Sequence, residues 1–328
     1  MLLRNYLPPL KLGAKILPQE IAGLGFTTGN IYYVIKKTET FYSKFLKDFQ
    51  CTYSDGSKAV CIDEGATTAV EATAALNTGI QDALNKCVSS RGDYVIIVPS
   101  ADDYDIGAVL TMTKRNVHLI CPMALGWGAG AQNACRVNQV DADASIIKLT
   151  GQNCEIAGLY FKPADTYPAI TLDNGSWGEA IHHNTFYWTG ATSYVIAPIT
   201  DAGDGGSYST IENNYFMPAG SSNTTTDVIR IENEAAACRV NGNVCIVANS
   251  NICSNVIQNK STMAEVSNNR VGEAGGTITR AITVNNGLCS GNMIGTSATN
   301  DVAPSTNTNG FVGNWSGATG GAAASQAT

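Results

Sequence analysis

The stretch AIHHNTFYW at residues 180–188 holds two of the three histidines of this chain, side by side among aromatic residues. Histidine changes its charge near neutral pH, and its imidazole serves as a metal ligand or as a general acid or base. Acid–base chemistry also needs a partner within hydrogen-bonding reach, often a carboxylate. The chemistry of His182 and His183 therefore depends on which side chains the fold brings to them.

The second half of the chain repeats one short phrase, apolar-x-x-Asn-x-apolar, which begins with IHHNTF at 181–186. Five further copies follow as IENNYF, VNGNVC, VSNNRV, CSGNMI and FVGNWS. The aligned asparagines are Asn184, Asn214, Asn243, Asn269, Asn292 and Asn314. A second phrase with alternating apolar residues, such as SIIKLTG at 145–151, precedes many copies. Two short strands in each period of about 20–30 residues indicate a solenoid of stacked coils.

Stacked coils place like residues on like, which closes a continuous core. The repeated asparagines can then hydrogen-bond their amides along the axis and form a structural asparagine ladder. Asparagine also tolerates the left-handed backbone that a sharp corner demands, so we expect the ladder residues to occupy such corners. An earlier copy of the phrase, IAGLYF at 156–161, carries Leu159 in the place of the asparagine.

The same alignment supplies a candidate acid–base pair. His182 and Glu212 each lie two positions before a ladder asparagine in successive coils, so the alignment stacks one over the other. Such a pair can do general acid–base chemistry, or it can be an outward ion pair that contributes little to stability. His183 belongs to a column of polar and small residues and is interpreted as structural.

Cofactor and metal signals are sparse. Asp201 and Asp204 lie in the glycine-rich loop ITDAGDGGSYS and are the candidate metal ligands, although the spacing of an EF-hand is absent and a plain exposed loop is the alternative. The ten cysteines contain no CxxC pair, and no histidine follows at zinc-finger spacing. We predict that the cysteines are reduced and buried as small hydrophobic residues, and we predict no cofactor.

The N-terminal part differs from the repeat. Prolines break residues 1–30, which nevertheless contain many apolar residues, as expected of a docking arm. A helix is predicted from about residue 66 to 88, because Leu76, Ile80, Leu84 and Val88 recur every four residues, and it would cover the open end of the first coil. The predicted organisation is an arm (1–30), a small α/β segment (31–115), a parallel β-helix (116–315) and a low-complexity tail (316–328).

The coil repeat, the capping helix and the turn and strand RGDYVIIVP (91–99) together resemble the right-handed parallel β-helix of the pectin-lyase-like superfamily, over about residues 90–315. That superfamily includes pectate lyases, polygalacturonases and phage tailspikes. The Arg-x-Pro-Lys motif of pectate lyases does not occur, and His118 in NVHLIC lacks the GHG-type setting of polygalacturonases. The order of arm, α/β segment, helix and short β-helix is most similar to phage virion structural proteins, which the resemblance implies are homotrimers attached through their N-terminal part.

Composition narrows the partners. The formal net charge of −7 and the pI near 5.0 offer no surface for a polyanion, so nucleic acid is not expected as a partner. No run approaches the roughly 18 apolar residues of a membrane span. The first residues lack the apolar core of a signal peptide, which predicts assembly in a host cytoplasm.

Together these features predict an all-β virion structural protein. It would be a trimeric capsid decoration, cement or head-spike protein on the virion surface, docked on the major capsid protein or a tail component through residues 1–115. One alternative is a tailspike-like polysaccharide lyase or glycoside hydrolase that acts on a host surface glycan. Another is a non-catalytic glycan-binding module, which needs outward aromatic residues such as Trp177 in one groove. Core or subunit packing is the expected fate of these aromatic residues.

Overall fold

The computed structural model describes residues 31–36, 61–64, 80–81, 83–97, 103–121, 135–141, 144–163, 167–189, 192–198, 205–218, 223–232, 235–296, 302–304 and 310–316. The predicted arm (1–30), the loop aspartates Asp201 and Asp204, and residues 317–328 of the predicted tail lie outside this part of the chain.

The described residues form 26 strands and part of one helix, at residues 80–81 and 83–86. The strands are β1 (Ile31–Lys36), β2 (Cys61–Glu64), β3 (Asp93–Ile97), β4 (Tyr104–Ile106), β5 (Leu110–Met112), β6 (Val117–Ile120), β7 (Arg136–Gln139), β8 (Ile147–Leu149), β9 (Glu155–Ala157), β10 (Tyr160–Lys162), β11 (Ile170–Leu172), β12 (Ala180–His182), β13 (Thr185–Trp188), β14 (Thr192–Pro198), β15 (Thr210–Glu212), β16 (Tyr215–Pro218), β17 (Thr224–Ile231), β18 (Arg239–Asn241), β19 (Val244–Ala248), β20 (Ile252–Ser267), β21 (Arg270–Ala274), β22 (Thr277–Ser290), β23 (Met293–Gly295), β24 (Val302–Pro304), β25 (Gly310–Val312) and β26 (Trp315–Ser316).

Each strand pairs in parallel with the strand at the same place in the next coil, which builds three faces. Face I contains β5, β8, β11, β14, β17 and β24; face II contains β2, β1, β3, β6, β9, β12, β15, β18 and β25; face III contains β4, β7, β10, β13, β16, β19, β21, β23 and β26. The long strands β20 and β22 run through faces I and II in turn. The predicted right-handed parallel β-helix is confirmed, and face II continues across residue 116 because β3 pairs with β6.

The core is made of stacked columns of identical or similar residues. Ile156, Ile181 and Ile211 stack on face II, each at most 1% exposed. On face III the rings of Phe161, Phe186 and Phe216 stack with centroid separations of 5.0 and 4.8 Å. In-register parallel pairing produces such columns, since every coil points the same position inward. Burial of each such side chain contributes about 1.5–3 kcal/mol to the free energy of unfolding.

The helix contributes to the same core at its N-terminal end. Ile80, Ala83 and Leu84 are at most 3% exposed and belong to the cluster that runs through the coils. The prediction that Val88 continues this stripe is wrong: Val88 is 48% exposed, because the helical residues end at 86 and the chain turns at 89–90. The part of the predicted helix before residue 80 lies outside the described residues.

The six repeat asparagines form one buried column at the corner between faces II and III. Each of the first five donates a hydrogen bond from Nδ2 to Oδ1 of the next asparagine, over 2.8–3.1 Å. Asn214 shows the full pattern: its Nδ2 also donates to the Ile181 carbonyl, and its Oδ1 accepts the backbone N–H and the Nδ2–H of Asn184. Both donors and both acceptor positions of this amide are used, which avoids the cost of a buried unsatisfied group.

The left-handed backbone at this corner lies one residue earlier than predicted. The residues with positive φ are those immediately before the ladder asparagines: His183, Asn213, Gly242, Asn268, Gly291 and Gly313. The expectation that the ladder asparagines themselves adopt this conformation is wrong. Two different residues therefore build the corner. The preceding residue adopts the left-handed backbone conformation, and the asparagine side chain points inward and forms hydrogen bonds with backbone N–H and carbonyl groups.

The cysteines are also divided. Cys121 and Cys135 form a disulfide, so the prediction that all cysteines are reduced is wrong for this pair. Six others are free and buried: Cys87, Cys154, Cys238, Cys245, Cys253 and Cys289. Their burial raises the pKa of thiols such as Cys245 to about 12, which keeps them protonated and unreactive.

Candidate functional site

The outer side of face II brings all three histidines of the chain together. Strand pairing aligns Tyr94 with His118 and His118 with Glu155, so these side chains form one outward column over β3, β6 and β9. His182 lies on β12, one outward position beyond the residue that pairs with Glu155. Outward side chains on neighbouring strands reach each other along such diagonals. His183 follows at the corner.

A continuous line of hydrogen bonds joins these groups. One oxygen of Glu155, Oε2, lies 2.7 Å from Nδ1 of His118, and the other, Oε1, lies 2.8 Å from Nε2 of His182. Nδ1 of His182 lies 2.8 Å from Nδ1 of His183. The ring of Tyr94 stacks on that of His118 with 4.3 Å between centroids. We call His118, Glu155, His182 and His183 the histidine–glutamate cluster.

The cluster keeps Glu155 ionised. Burial by itself would raise the pKa of Glu155, but hydrogen bonds from His118 and His182 and the positive charge of these imidazoles outweigh it and lower the pKa to about 2. The neighbouring Tyr94 responds in the opposite direction: burial, and then the charge of Glu155, raise its pKa to about 12. Tyr94 is therefore a neutral hydrogen-bonding group at neutral pH.

These contacts determine which nitrogen atoms of the cluster donate hydrogen bonds. The ionised carboxylate only accepts, so His118 donates through Nδ1 and His182 donates through Nε2. The two Nδ1 atoms of His182 and His183 face each other, and one proton lies between them. This hydrogen bond links the corner residue His183 to the pair formed by His182 and Glu155.

The predicted partner of His182 is adjacent but not engaged. His182 and Glu212 are in register on β12 and β15, as the repeat alignment predicted. Both ring nitrogens of His182 are occupied, by Glu155 from the preceding coil and by His183. The carboxylate that serves His182 is therefore Glu155, and the pair proposed from the sequence is corrected to His182–Glu155. The side chain of His182 is 7% exposed, so solvent meets the cluster at Glu155, at 24%, at His118, at 18%, and at the half-buried His183.

Sequence reasoning missed Glu155 and His118. The signal was present in IAGLYF, because aligning Ile156 with Ile181 places Glu155 beside Ala180 and diagonal to His182. Leu159 replaces the ladder asparagine in this copy, so an alignment on the asparagines starts at Asn184 and leaves Glu155 out. The strand VHLI at 117–120 carries His118 into the same column one coil earlier.

The cluster suits acid–base chemistry better than metal binding. An imidazole that is held and polarised by a carboxylate is the arrangement used for general acid–base catalysis. Among the described residues no group of three histidine, cysteine or acidic side chains converges on one point where a metal ion could bind. In this cluster the nitrogens are hydrogen-bonded in a line. No helix in the described part of the chain is long and apolar enough to cross a membrane.

Fold and site together place this chain in the class of parallel β-helix proteins with a titratable cluster on one outer face. No protein-family model matches the sequence, and no curated protein matches it. A solved structure, the alginate lyase from Paenibacillus sp. str. FPU-7, aligns with 71% of this chain and 97% of its own chain, at 13% identity and a TM-score of 0.39. That likeness is too slight to assign an activity.

Proposed function

We propose that this chain is a structural β-helix of a bacteriophage virion. In this proposal it is a trimeric decoration, cement or spike protein at the virion surface, docked on the capsid or a tail component through residues 1–115. The observation that supports it best is the asparagine ladder from Asn184 to Asn314, in which a hydrogen bond joins each asparagine to the next. A rod with a continuous core and a neutral polar spine suits a durable, exposed part.

The test has two arms. Mass spectrometry of purified particles from cells that express the tagged chain should detect it at a fixed copy number per particle, and deletion of residues 1–30 should abolish this association. Light scattering of the purified protein should give the mass of a trimer. A chain absent from washed particles, or one that binds equally well without residues 1–30, would overturn the docking proposal; a monomer would overturn the trimer.

A second candidate function is favoured by the histidine–glutamate cluster. In it, the chain cleaves a surface polysaccharide, with His118 or His183 as the acid–base group and Glu155 as the residue that positions the imidazoles. The supporting geometry is the carboxylate with a histidine on each oxygen, at 2.7 and 2.8 Å. The catalytic role requires the substrate to lie on the outer side of face II.

This candidate is tested on the intact protein. Incubation with host polysaccharide should produce new reducing ends or unsaturated products, and Glu155→Gln should lower the rate at least a hundredfold. Glu265→Gln is the matched control, since Glu265 lies in the same outward column and pairs with Arg239 instead. Absence of products, or equal rates for both variants, would contradict catalysis by the cluster.

A further inference from the structure

Two aromatic side chains are exposed together at the turn between faces I and II. Trp177 is 41% exposed and Tyr208, in the next coil, is 60% exposed. Their rings meet edge to face, with 6.5 Å between centroids and 74° between planes. The backbone fixes them as neighbours, because Trp177 forms a parallel bridge with Ser207 and the N–H of Gly178 donates to the Ser207 carbonyl over 2.8 Å. This is a preformed arrangement.

The two rings form walls of a small cavity. Its volume is about 240 Å³, and its lining consists of Gly175, Ser176, Trp177, Ser207 and Tyr208. Pockets for drug-sized ligands have volumes of about 300–1,000 Å³, so this cavity suits a single ring. None of the described lining residues has a charged side chain, and the aromatic rings lie beside the partly buried Ser207 and the backbone of the turn, whereas Ser176 is fully buried. Such a lining selects an uncharged ligand with both an apolar face and hydroxyl groups.

The backbone of Tyr208 supports a role in binding. Its φ is 58°, in the left-handed region that bulky residues rarely adopt. The Tyr208 N–H donates to the Ala236 carbonyl over 2.6 Å, which anchors the turn, but the ring is mostly outside the core. An asparagine or glycine would make this turn with less strain, as at the ladder corner. Strained residues that packing does not explain are frequent at ligand sites.

We propose that the Trp177–Tyr208 cavity binds one uncharged hexopyranose ring of a glycan. The apolar face of the sugar would stack on an aromatic ring, and its hydroxyl groups would meet the Ser207 hydroxyl and backbone polar groups of the turn. A pyranose has both features that the lining selects, whereas a uronate would bring a carboxylate to a cavity whose described lining residues include no cationic side chain. The proposal stands whether or not the chain belongs to a virion and whether or not the histidine–glutamate cluster is catalytic.

The test uses the full-length protein and four defined probes. Saturation-transfer NMR and calorimetry should detect binding of at least one of the neutral trisaccharides chitotriose, cellotriose and maltotriose, and weaker or no binding of trigalacturonate. Trp177→Ala should weaken binding at least tenfold, and Trp177→Phe should restore part of it. Failure of all three neutral probes, or stronger binding of trigalacturonate, would overturn the proposal.

Tyr208→Asn separates binding from folding. Asparagine is more comfortable at this φ, so the Tm should stay the same or rise while sugar binding falls at least tenfold. Met293→Ala is the matched control, because Met293 is 50% exposed on face III and should leave binding unchanged. Unchanged affinity in Tyr208→Asn, or an equal loss in Met293→Ala, would contradict the site.

Discussion

The histidine–glutamate cluster ends at His183 and the asparagine ladder begins at the next residue, Asn184, yet the two behave in opposite ways. The ladder lies inside the corner, and its amides carry no charge at any accessible pH. The cluster lies outside the corner and consists of groups that exchange protons. Both are lines of hydrogen bonds across neighbouring coils. The comparison shows that one repeat register supplies a permanent polar spine on its inner side and a titratable surface on its outer side.

The largest expected effect on stability concerns the asparagine ladder. Asn243→Ala removes the acceptor of the Asn214 backbone N–H and of one Asn214 Nδ2–H, and it removes a donor to Asn269 Oδ1, so these groups stay buried without their partner. Each unsatisfied group costs about 1–3 kcal/mol, so the free energy of unfolding should fall by roughly 3–6 kcal/mol in urea denaturation. Asn268→Gly is the control: Asn268 is exposed at the left-handed position, and its replacement should change stability by less than about 0.5 kcal/mol. Similar losses in both variants would show that the ladder is not special.

Glu179 is an exception to the contrast between a neutral interior and a charged surface, because it is a buried acid. Glu179 is 1% exposed, and burial, only partly offset by backbone hydrogen bonds from Cys154 and Trp177, raises its pKa to about 8. The folded state holds this proton more tightly than the unfolded state, so stability is full below pH 4.5 and is lost as the pH rises towards 8. The loss is on the order of 1 kcal/mol per pH unit in that window.

Glu179→Gln should remove this pH dependence, because the amide stays neutral and its oxygen can still accept the hydrogen bond from the Cys154 N–H. Denaturation of both proteins across pH 4 to 9, on the order of one measurement per pH unit, gives the comparison. Parallel stability curves for the two proteins would contradict an ionisable interior.

The pH dependence of stability that arises from Glu155, in the histidine–glutamate cluster, has the opposite sign to that from Glu179. The pKa of Glu155 is lowered to about 2 in the folded state, so its contribution to stability is present above pH 4.5 and is lost as the pH falls towards 2. Glu155→Gln should cost on the order of 2–3 kcal/mol near neutral pH, and this difference should vanish in acid. Glu265→Gln removes an exposed ion pair with Arg239, while the amide oxygen can still accept the hydrogen bond from Ser267 Oγ, so it should cost less than about 1 kcal/mol. A loss in Glu155→Gln that persists unchanged in acid would mean that charge is not the cause.

The sequence predicted the fold and the asparagine ladder well, for a physical reason. Parallel coils stack in register, so a repeated residue type marks a column, and the spacing of Asn184 and Asn214 sufficed to pair His182 with Glu212 on the backbone. The repeat does not predict side-chain contacts equally well, because an outward side chain can contact either the preceding or the following coil. Alignment alone could not decide that His182 turns back to Glu155.

The sequence did not predict two other features, the disulfide and the position of the left-handed residue, for different reasons. The disulfide joins Cys121 and Cys135 across 14 residues that carry no repeat, so no register predicted their approach. Asparagine in general tolerates the left-handed conformation, so the sequence predicts this conformation at the ladder asparagine itself. The structure gives that position to the preceding residue, and only the inward direction of the amide explains why.

The direction of the ladder has a consequence for how the chain is made. The backbone N–H of Asn184 is satisfied by Asn214, and that of Asn214 by Asn243, so each corner is completed by the coil that follows it in the chain. During synthesis the most recently released coil always lacks its final acceptor until the ribosome delivers the next one. We therefore expect the β-helix to extend from its N-terminal end during translation, with one unfinished edge at the most recently released coil.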